Sequence, residues 1–367
     1  VPSPAPAPPA TAATQEREAT RQTSGNVTWS ENGEKLSINY RGAFTLNDTD
    51  TDIARVSPGG YLKISEGGWL RGRSLELTAD DSGNITRRFR VGNDERPYEP
   101  EGRLWLAQVL PRFVRQTGFA AKERVARLLA KGGVPAVLEE ISLIKGDYGR
   151  KVYFLQLLMQ APLDAAAARR VLEQAGREID SDYELATTLI AAAEKLLIDD
   201  ATRKAYFDAA RNIESDYEMR RVYSAALKRG TITPGLMAGV LEASRDLGSD
   251  YEAASLLLEI VQQHAIEGAV RQPFFSALET IESSYEKGRV LQALLRRSDL
   301  SADTLLGAVT AAGTVGGDYE TAQVLLAASR SHTISGATRE AYIRAAERLG
   351  DYERSRTLAA LVRAEKR

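Results

Sequence analysis

The chain has 367 residues, of which 43% are hydrophobic and 27% charged, a composition typical of a folded protein rather than a disordered one. Its net charge of −2 argues against the basic surface of a nucleic-acid-binding protein. The sequence contains no run of about 18 apolar residues, so no membrane-spanning segment is predicted. The chain has no cysteine, which excludes disulfides, thiol catalysis and thiolate metal sites and fits an extracytoplasmic location.

Residues 1–24 are rich in proline and alanine. Such a composition favours an extended chain that cannot build a core, so we predict a flexible tether. The sequence begins with Val1 rather than Met, which indicates a processed or excised piece. A tether at the front of such a piece predicts a membrane anchor upstream.

Residues 25–96 show a period of two, which is typical of strands with one buried face. The alternation is clear over residues 36–40 and 61–64, and weaker over 75–77 and 85–91. Turn residues such as Pro58-Gly59-Gly60 separate these segments. We predict a small antiparallel β domain, a meander of about six short strands.

Three aspartates alternate within this region, at Asp48, Asp50 and Asp52. They resemble the front of a calcium-binding loop, but Ile53 stands where that loop needs glycine and Gly59 where it needs a bidentate glutamate. A polar loop between strands is therefore favoured over a calcium site.

Residues 97–133 predict linking helices. The first carries the large apolar side chains Leu104, Trp105, Val109 and Phe113, and Pro111 predicts a bend in it. The pattern continues through residues 122–131, and we expect these helices to cap the first unit of a repeat array.

Residues 134–367 repeat a short signature with a period near 34. A small polar residue and an acid or serine precede each tyrosine, and glutamate usually follows it. The spacings are 35, 34, 34, 34, 34 and 33 residues, which indicates a tandem array. The seven signature tyrosines are Tyr148, Tyr183, Tyr217, Tyr251, Tyr285, Tyr319 and Tyr352.

Apolar residues recur at fixed offsets from each tyrosine: three or four residues before it, six after it and fifteen after it. Between them the chain is rich in good helix formers. We predict an α-solenoid of two-helix repeats, similar to HEAT or TPR arrays, with helices near residues 217–228 and 234–247 in one repeat. The chain as a whole is predicted to be mostly α with a small β domain.

The signature itself predicts a helix start. In Ser181-Asp182-Tyr183-Glu184 the serine can cap the helix and the glutamate can reach back to the serine N–H, forming a capping box. Where glycine replaces serine, as at Gly146, the following aspartate is expected to cap and shift the start by one residue. The tyrosine is interpreted as a packing residue between repeats rather than as a ligand-binding ladder.

No enzyme signature is present. The two histidines, His264 and His332, do not form H-E-x-x-H, and the phosphate-binding and serine-hydrolase motifs are missing. S-x-x-K occurs at Ser142 and Ser284, but Ser142 lies at a predicted helix end and Ser284 is interpreted as a repeat cap. We therefore expect no catalytic residue, no metal and no cofactor.

The chain resembles the C-terminal extension of bacterial membrane metallopeptidases of the M56 family. The resemblance rests on Asp52-Ile53 with residues 57–61, on residues 103–107 with Val109-Leu110-Pro111, and on the Ser-Asp-Tyr-Glu repeats. It implies an outward-facing, periplasmic sensor or interaction region tethered to a membrane protein. The peptidase half with its H-E-x-x-H is missing here, so no catalytic residue is carried over.

Three functions follow as hypotheses. The first is a non-enzymatic arm that binds a protein or peptide through the solenoid. The second is a sensor of a small envelope molecule, which would need an apolar pocket near Tyr61, Trp69 and Trp105. The third, an enzyme with an unrecognised site, would need titratable groups converging in one cleft.

For the first hypothesis the sequence predicts an exposed stripe of variable residues, each four positions after its tyrosine. Three of the five are basic, which points to an acidic or phosphate-bearing partner, although an ordinary solvated helix face is the favoured interpretation. The stripe consists of Arg221, Ser255, Arg289, Gln323 and Arg356.

Overall fold

The computed structural model describes residues 24–31, 34–67, 72–228 and 232–364. The chain divides after Ala161 into two compact units. Of the predicted tether, residues 1–23 lie outside the described ranges, and Ser24 opens the first strand. The domain boundaries predicted at 96/97 and 133/134 both fall inside the first unit. Among the helices described, none is long and apolar enough to cross a membrane.

The first unit contains the predicted antiparallel meander, a six-stranded sheet in the order β1-β2-β5-β6-β7-β8. Alternate side chains of these strands point to opposite faces, so one face is apolar and the other polar. The strands of this sheet are β1 Ser24–Glu31, β2 Glu34–Arg41, β5 Tyr61–Glu66, β6 Arg73–Ala79, β7 Ile85–Val91 and β8 Asp94–Arg96.

The apolar face of the sheet packs on helix α1, Arg103–Thr117. Trp105, Val109 and Phe113 of α1 are buried there, whereas Leu104 is exposed. The Trp105 indole donates to Glu66 at 2.7 Å, which satisfies its buried N–H. Pro111 lies within the helical span.

A two-stranded hairpin interrupts the meander between β2 and β5, and the sequence did not predict it. It pairs β3, Phe44–Leu46, with β4, Ile53–Val56. Strands of three and four residues are too short for a period of two to show. The three aspartates lie in the turn of this hairpin, as the polar-loop interpretation expected.

Two further helices complete the first unit. Helix α2, Ala121–Ser142, is kinked at Gly133, whose φ of +65° suits a residue without Cβ. Helix α3, Asp147–Gln160, begins with the first signature and packs on α2. Ser142 is the last residue of α2, as predicted.

The second unit is built from two-helix repeats stacked side by side. The tyrosine-led helices α5, α7, α9, α11, α13 and α15 pack in sequence in one layer, and the helices between them form a second layer. This arrangement is the predicted solenoid, and each tyrosine stands second in its helix. The helices are α4 Ala165–Glu178, α5 Asp182–Leu196, α6 Asp200–Ala210, α7 Asp216–Leu227, α8 Pro234–Ala243, α9 Asp250–Gln263, α10 Arg271–Glu279, α11 Ser284–Leu295, α12 Ala302–Ala312, α13 Asp318–Ser331, α14 Gly336–Ala346 and α15 Asp351–Ala364.

The predicted apolar anchors form most of the solenoid core. All seven residues that precede the tyrosines by three or four positions are buried, as are those six positions after, apart from the half-buried Leu358 in the last helix. The residues fifteen positions after each tyrosine are buried less regularly. Ile198 is exposed, because Leu197 beside it fills the core instead, and Leu163, Ile232 and Leu300 are half-buried.

Helix starts follow one rule in every repeat. The residue before the aspartate is the N-cap, whether that residue is a serine or a glycine. The predicted one-residue shift at Gly146 is therefore wrong, because the aspartate is helical in each case and its carboxylate is used elsewhere. Ser284 is likewise the first helical residue, and Ser283 is the cap.

Candidate interaction face

The signature tyrosines are exposed, so their interpretation as packing residues is wrong. All seven side chains lie on the surface, with exposed fractions from 53% to 76%. In α5 the core-facing positions are Leu185, Leu189 and Leu196. At 3.6 residues per turn, these point roughly 140° away from the tyrosine at the helix start. The same helical geometry therefore places each tyrosine outside.

An aspartate ladder joins successive helix starts in the second unit. Asp182 accepts hydrogen bonds from the backbone N–H groups of Glu214 and Ser215, at 3.0 and 2.8 Å. Asp250 accepts from Glu282 and Ser283 at 3.0 and 2.7 Å. Each carboxylate thus satisfies donors of the next repeat.

Two other rungs of this ladder carry a single bond. Asp216 accepts from the Gly248 N–H, and Asp318 from the Gly350 N–H, each at 3.0 Å. Where Ser284 replaces the aspartate, it still lies against the glycines that open the next repeat. The helix starts therefore form a continuous row.

Half of the predicted capping box is present. The hydroxyls of Ser181, Ser215, Ser249 and Ser283 each accept from the N–H of the signature glutamate, as the signature predicts. The reciprocal bond is replaced, because the N–H groups of Ser215 and Ser283 donate to the preceding aspartates.

The signature glutamates hold arginines instead. Arg221, Arg289 and Arg356 each donate to the glutamate three residues earlier, and Arg220 donates to Glu252 of the next repeat. The glutamate side chains are largely buried, with exposed fractions of 11–14%. Each of these arginine charges is therefore neutralised locally.

The predicted stripe of exposed residues needs correction. Arg221, Arg289 and Arg356 are only about one-third exposed, at 33–35%, and Ser255 and Gln323 are half-buried. The reason is the i−3 ion pair, which draws each arginine down onto its own helix. The arginine charges are paired, so they no longer favour an acidic partner.

Tyrosines and arginines instead form one surface. The guanidinium of Arg289 lies 5.7 Å from the ring centroid of Tyr285, and Arg220 and Arg221 lie 5.6 and 5.9 Å from that of Tyr217. These are cation–π distances. We call the row of Tyr183, Tyr217, Tyr251, Tyr285, Tyr319 and Tyr352, with the arginines beside them, the tyrosine face.

Other tyrosines form the core. Tyr206 of α6 and Tyr342 of α14 are fully buried and donate to the carbonyls of Val222 and Thr357, at 2.9 and 3.0 Å. Burial raises the pKa of both phenols. The packing role expected of the signature tyrosines thus belongs to other tyrosines, and the two named here stand in the same short sequence, Ala-Thr-Arg-x-Ala-Tyr.

A groove of about 1240 Å³ lies between α4 and α6 beside Tyr183. Its lining mixes the cations Arg169, Arg177 and Lys204 with acids such as Asp208. Small-molecule pockets are mostly apolar with a few converging polar groups, which this groove is not.

The pocket required by the sensor hypothesis is not assembled by the described residues. Trp69 lies outside them. Tyr61 alternates with the buried Leu62 and Ile64 and so points to the polar face of the sheet, whereas Trp105 is buried against the other face.

A buried charge cluster connects elements of the first unit. Arg124 donates to Asp50 at 2.6 Å, pairs with Glu140 at 3.1 Å and also donates to the Tyr153 hydroxyl. Arg127 binds the same aspartate. Asp50, Arg124, Glu140 and Tyr153 are all buried. The cluster joins the β3–β4 turn to α2 and α3, and sequence reasoning missed it.

The histidines lie at helix ends. His264 and His332 are the C-caps of α9 and α13, and the ring Nε2 of His332 lies 2.9 Å from the Leu295 carbonyl oxygen. Burial lowers the pKa of His264. Within the described ranges no three potential metal ligands cluster.

No protein-family model, curated protein or solved structure matches the chain.

Proposed function

We propose that the chain is a non-enzymatic interaction module that binds a protein or peptide partner with the tyrosine face. The observation that carries the proposal is the repeated exposure of a large aromatic side chain at one position of every repeat. Tyrosine is enriched at protein interfaces, because its ring supplies apolar contact area and its hydroxyl remains hydrogen-bonded.

The fixed geometry of the face supports the same function. The aspartate ladder sets the spacing of the helix starts, and the glutamate–arginine pairs hold the side chains next to the rings. A surface that is ordered before binding loses less entropy when the partner arrives.

The proposal is tested with a triple variant, Tyr217→Ser, Tyr251→Ser and Tyr285→Ser, used as bait for the native membrane fraction. A matched control carries Glu242→Ser, Gln272→Ser and Glu340→Ser, which are exposed positions of the second layer. We expect the partner to be recovered by the wild type and the control but lost by the tyrosine variant. Equal recovery by all three baits would contradict the proposal.

We further propose that the module is the extracytoplasmic part of a membrane-tethered protein related to the M56 family. The supporting observations are the residues quoted for the resemblance and the absence of cysteine. External protease should degrade the module in intact spheroplasts while a cytoplasmic marker survives. Protection of the module until the cells are lysed would contradict this location.

A further inference from the structure

The spacing of the tyrosine face defines the kind of partner it fits. Consecutive signature turns touch through the aspartate ladder, and the tyrosine-led helices pack as direct neighbours. Packed helices lie roughly 8–10 Å apart, so one exposed tyrosine recurs about every 8–10 Å along the row. A ligand with the same period can place one equivalent group on every ring.

A polyproline II helix has that period. It rises about 3.1 Å per residue with three residues per turn, so every third residue recurs on one side after about 9.3 Å. An α-helix returns to the same face after about 5.4 Å, or after about 10.5 Å over seven residues, and a β-strand after about 6.7 Å, so the polyproline II helix matches one repeat more closely than either. A polyproline II segment along the row would therefore set every third residue against a tyrosine.

The side chains of the face match such a segment chemically. Proline rings pack on flat aromatic rings, which is how aromatic-lined grooves recognise proline-rich peptides. The backbone of this helix makes no internal hydrogen bonds, so its carbonyls need donors. A guanidinium carries five N–H donors, and the pairing of Arg221 and Arg289 with glutamate leaves some of them for a ligand.

The charge of the face supports an uncharged ligand. The arginines beside the rings are each paired with a signature glutamate, and the aspartates bind backbone N–H groups. With these pairs intact, a strongly acidic or strongly basic partner gains little from the charges of the face. We infer that the tyrosine face binds a proline-rich segment of a partner protein in the polyproline II conformation, an inference that rests on the proposed function.

The test measures binding of fluorescein-labelled oligoprolines of 6, 9 and 12 residues to the full chain by fluorescence anisotropy. We expect affinity to increase with each added turn, because each turn engages one more tyrosine. The triple variant Tyr217→Ser, Tyr251→Ser and Tyr285→Ser should weaken binding of the 12-residue peptide about tenfold or more. Phenylalanine at the same three positions should retain most of the affinity, because it keeps the ring.

Several outcomes would overturn the inference: no binding, affinity independent of peptide length, equal binding of a 12-residue Gly-Ser peptide, or unchanged binding by the serine variant. Stronger binding after deletion of residues 1–23 would assign the face to the chain's own proline-rich segment rather than to a partner. A partner that is lost by the serine bait but lacks proline-rich sequence would leave the proposed function standing and remove only this inference.

Discussion

The signature aspartate has a role that depends on its neighbour rather than on its own helix. Asp250 receives two N–H groups from the next repeat, at 3.0 and 2.7 Å. Asp250→Ala should lower the free energy of unfolding by about 1–3 kcal/mol, since both donors lose a charged acceptor. Asp250→Asn keeps one acceptor oxygen and should lose less. Urea denaturation measures both, and equal stability of the wild type and Asp250→Ala would exclude the ladder as a stabilising element.

The aspartate ladder also predicts that one substitution will increase stability. Ser284 occupies the aspartate position against Gly316 and Gly317 of the next repeat. Ser284→Asp should therefore stabilise the chain by about 1 kcal/mol, the usual value for one added hydrogen bond. Denaturation of this variant alongside wild type checks the sign, and a loss of stability would show that this rung is built differently.

The serine caps are a smaller contribution. The hydroxyl of Ser215 accepts from Glu218 at 3.4 Å, a long bond. Ser215→Ala should cost about 0.5–1 kcal/mol, at the low end for an N-cap. The matched comparison is Ser255→Ala, which changes a helical serine that caps nothing. Identical denaturation midpoints for the two alanine variants would contradict the cap.

At the scale of elements, ion pairs between side chains attach the β3–β4 turn to the helices. Asp50→Ala would remove the carboxylate that Arg124 and Arg127 share and leave Arg124 with Glu140, which should destabilise the first unit by about 3 kcal/mol, the low end for breaking a buried pair. Asp48 lies in the same turn but is exposed, so Asp48→Ala should change stability by less than about 0.5 kcal/mol. Denaturation followed by tryptophan fluorescence distinguishes the two, and similar effects of both substitutions would contradict the cluster's role.

The same cluster predicts alkaline sensitivity. Burial raises the pKa of Tyr153 from 10.0 to about 12. Between these values the unfolded chain loses the phenol proton while the folded chain keeps it, so stability is full below pH 10 and falls as pH rises above it. The expected slope is about 1.4 kcal/mol per pH unit for this tyrosine. Tyr153→Phe should have a shallower slope, and parallel pH profiles would contradict the assignment.

Local sequence predicted the elements well and their partners poorly. The period near 34 was predictable because the signature recurs visibly along the sequence. The helix starts were predictable because each depends on residues within one turn. The acceptor of the Ser215 N–H is 33 residues away, and Arg124 is 74 residues from Asp50. Such contacts exist only after stacking or docking, so neither the ladder nor the buried cluster could be predicted from spacing.

The exposure of the tyrosines, in contrast to these contacts, could have been predicted from the sequence. The sequence contained the necessary signal, since the apolar offsets define the buried side of each helix and the tyrosine falls outside it. Recurrence in every repeat alone favours a packing role. In this solenoid the recurrent aromatic residue marks a surface, and the aspartate before it maintains the stacking.

At the scale of the whole molecule, the proposed function requires that a partner binds on the tyrosine face. The most direct test replaces Tyr217, Tyr251 or Tyr285, one at a time, with photoreactive benzoylphenylalanine in cells that express the complete protein. The same group at Glu242, Gln272 or Glu340 of the second layer provides the comparison. We expect one common crosslinked partner from the three tyrosine positions and none from the second layer. Crosslinks to that partner from the second layer alone would contradict the proposed function.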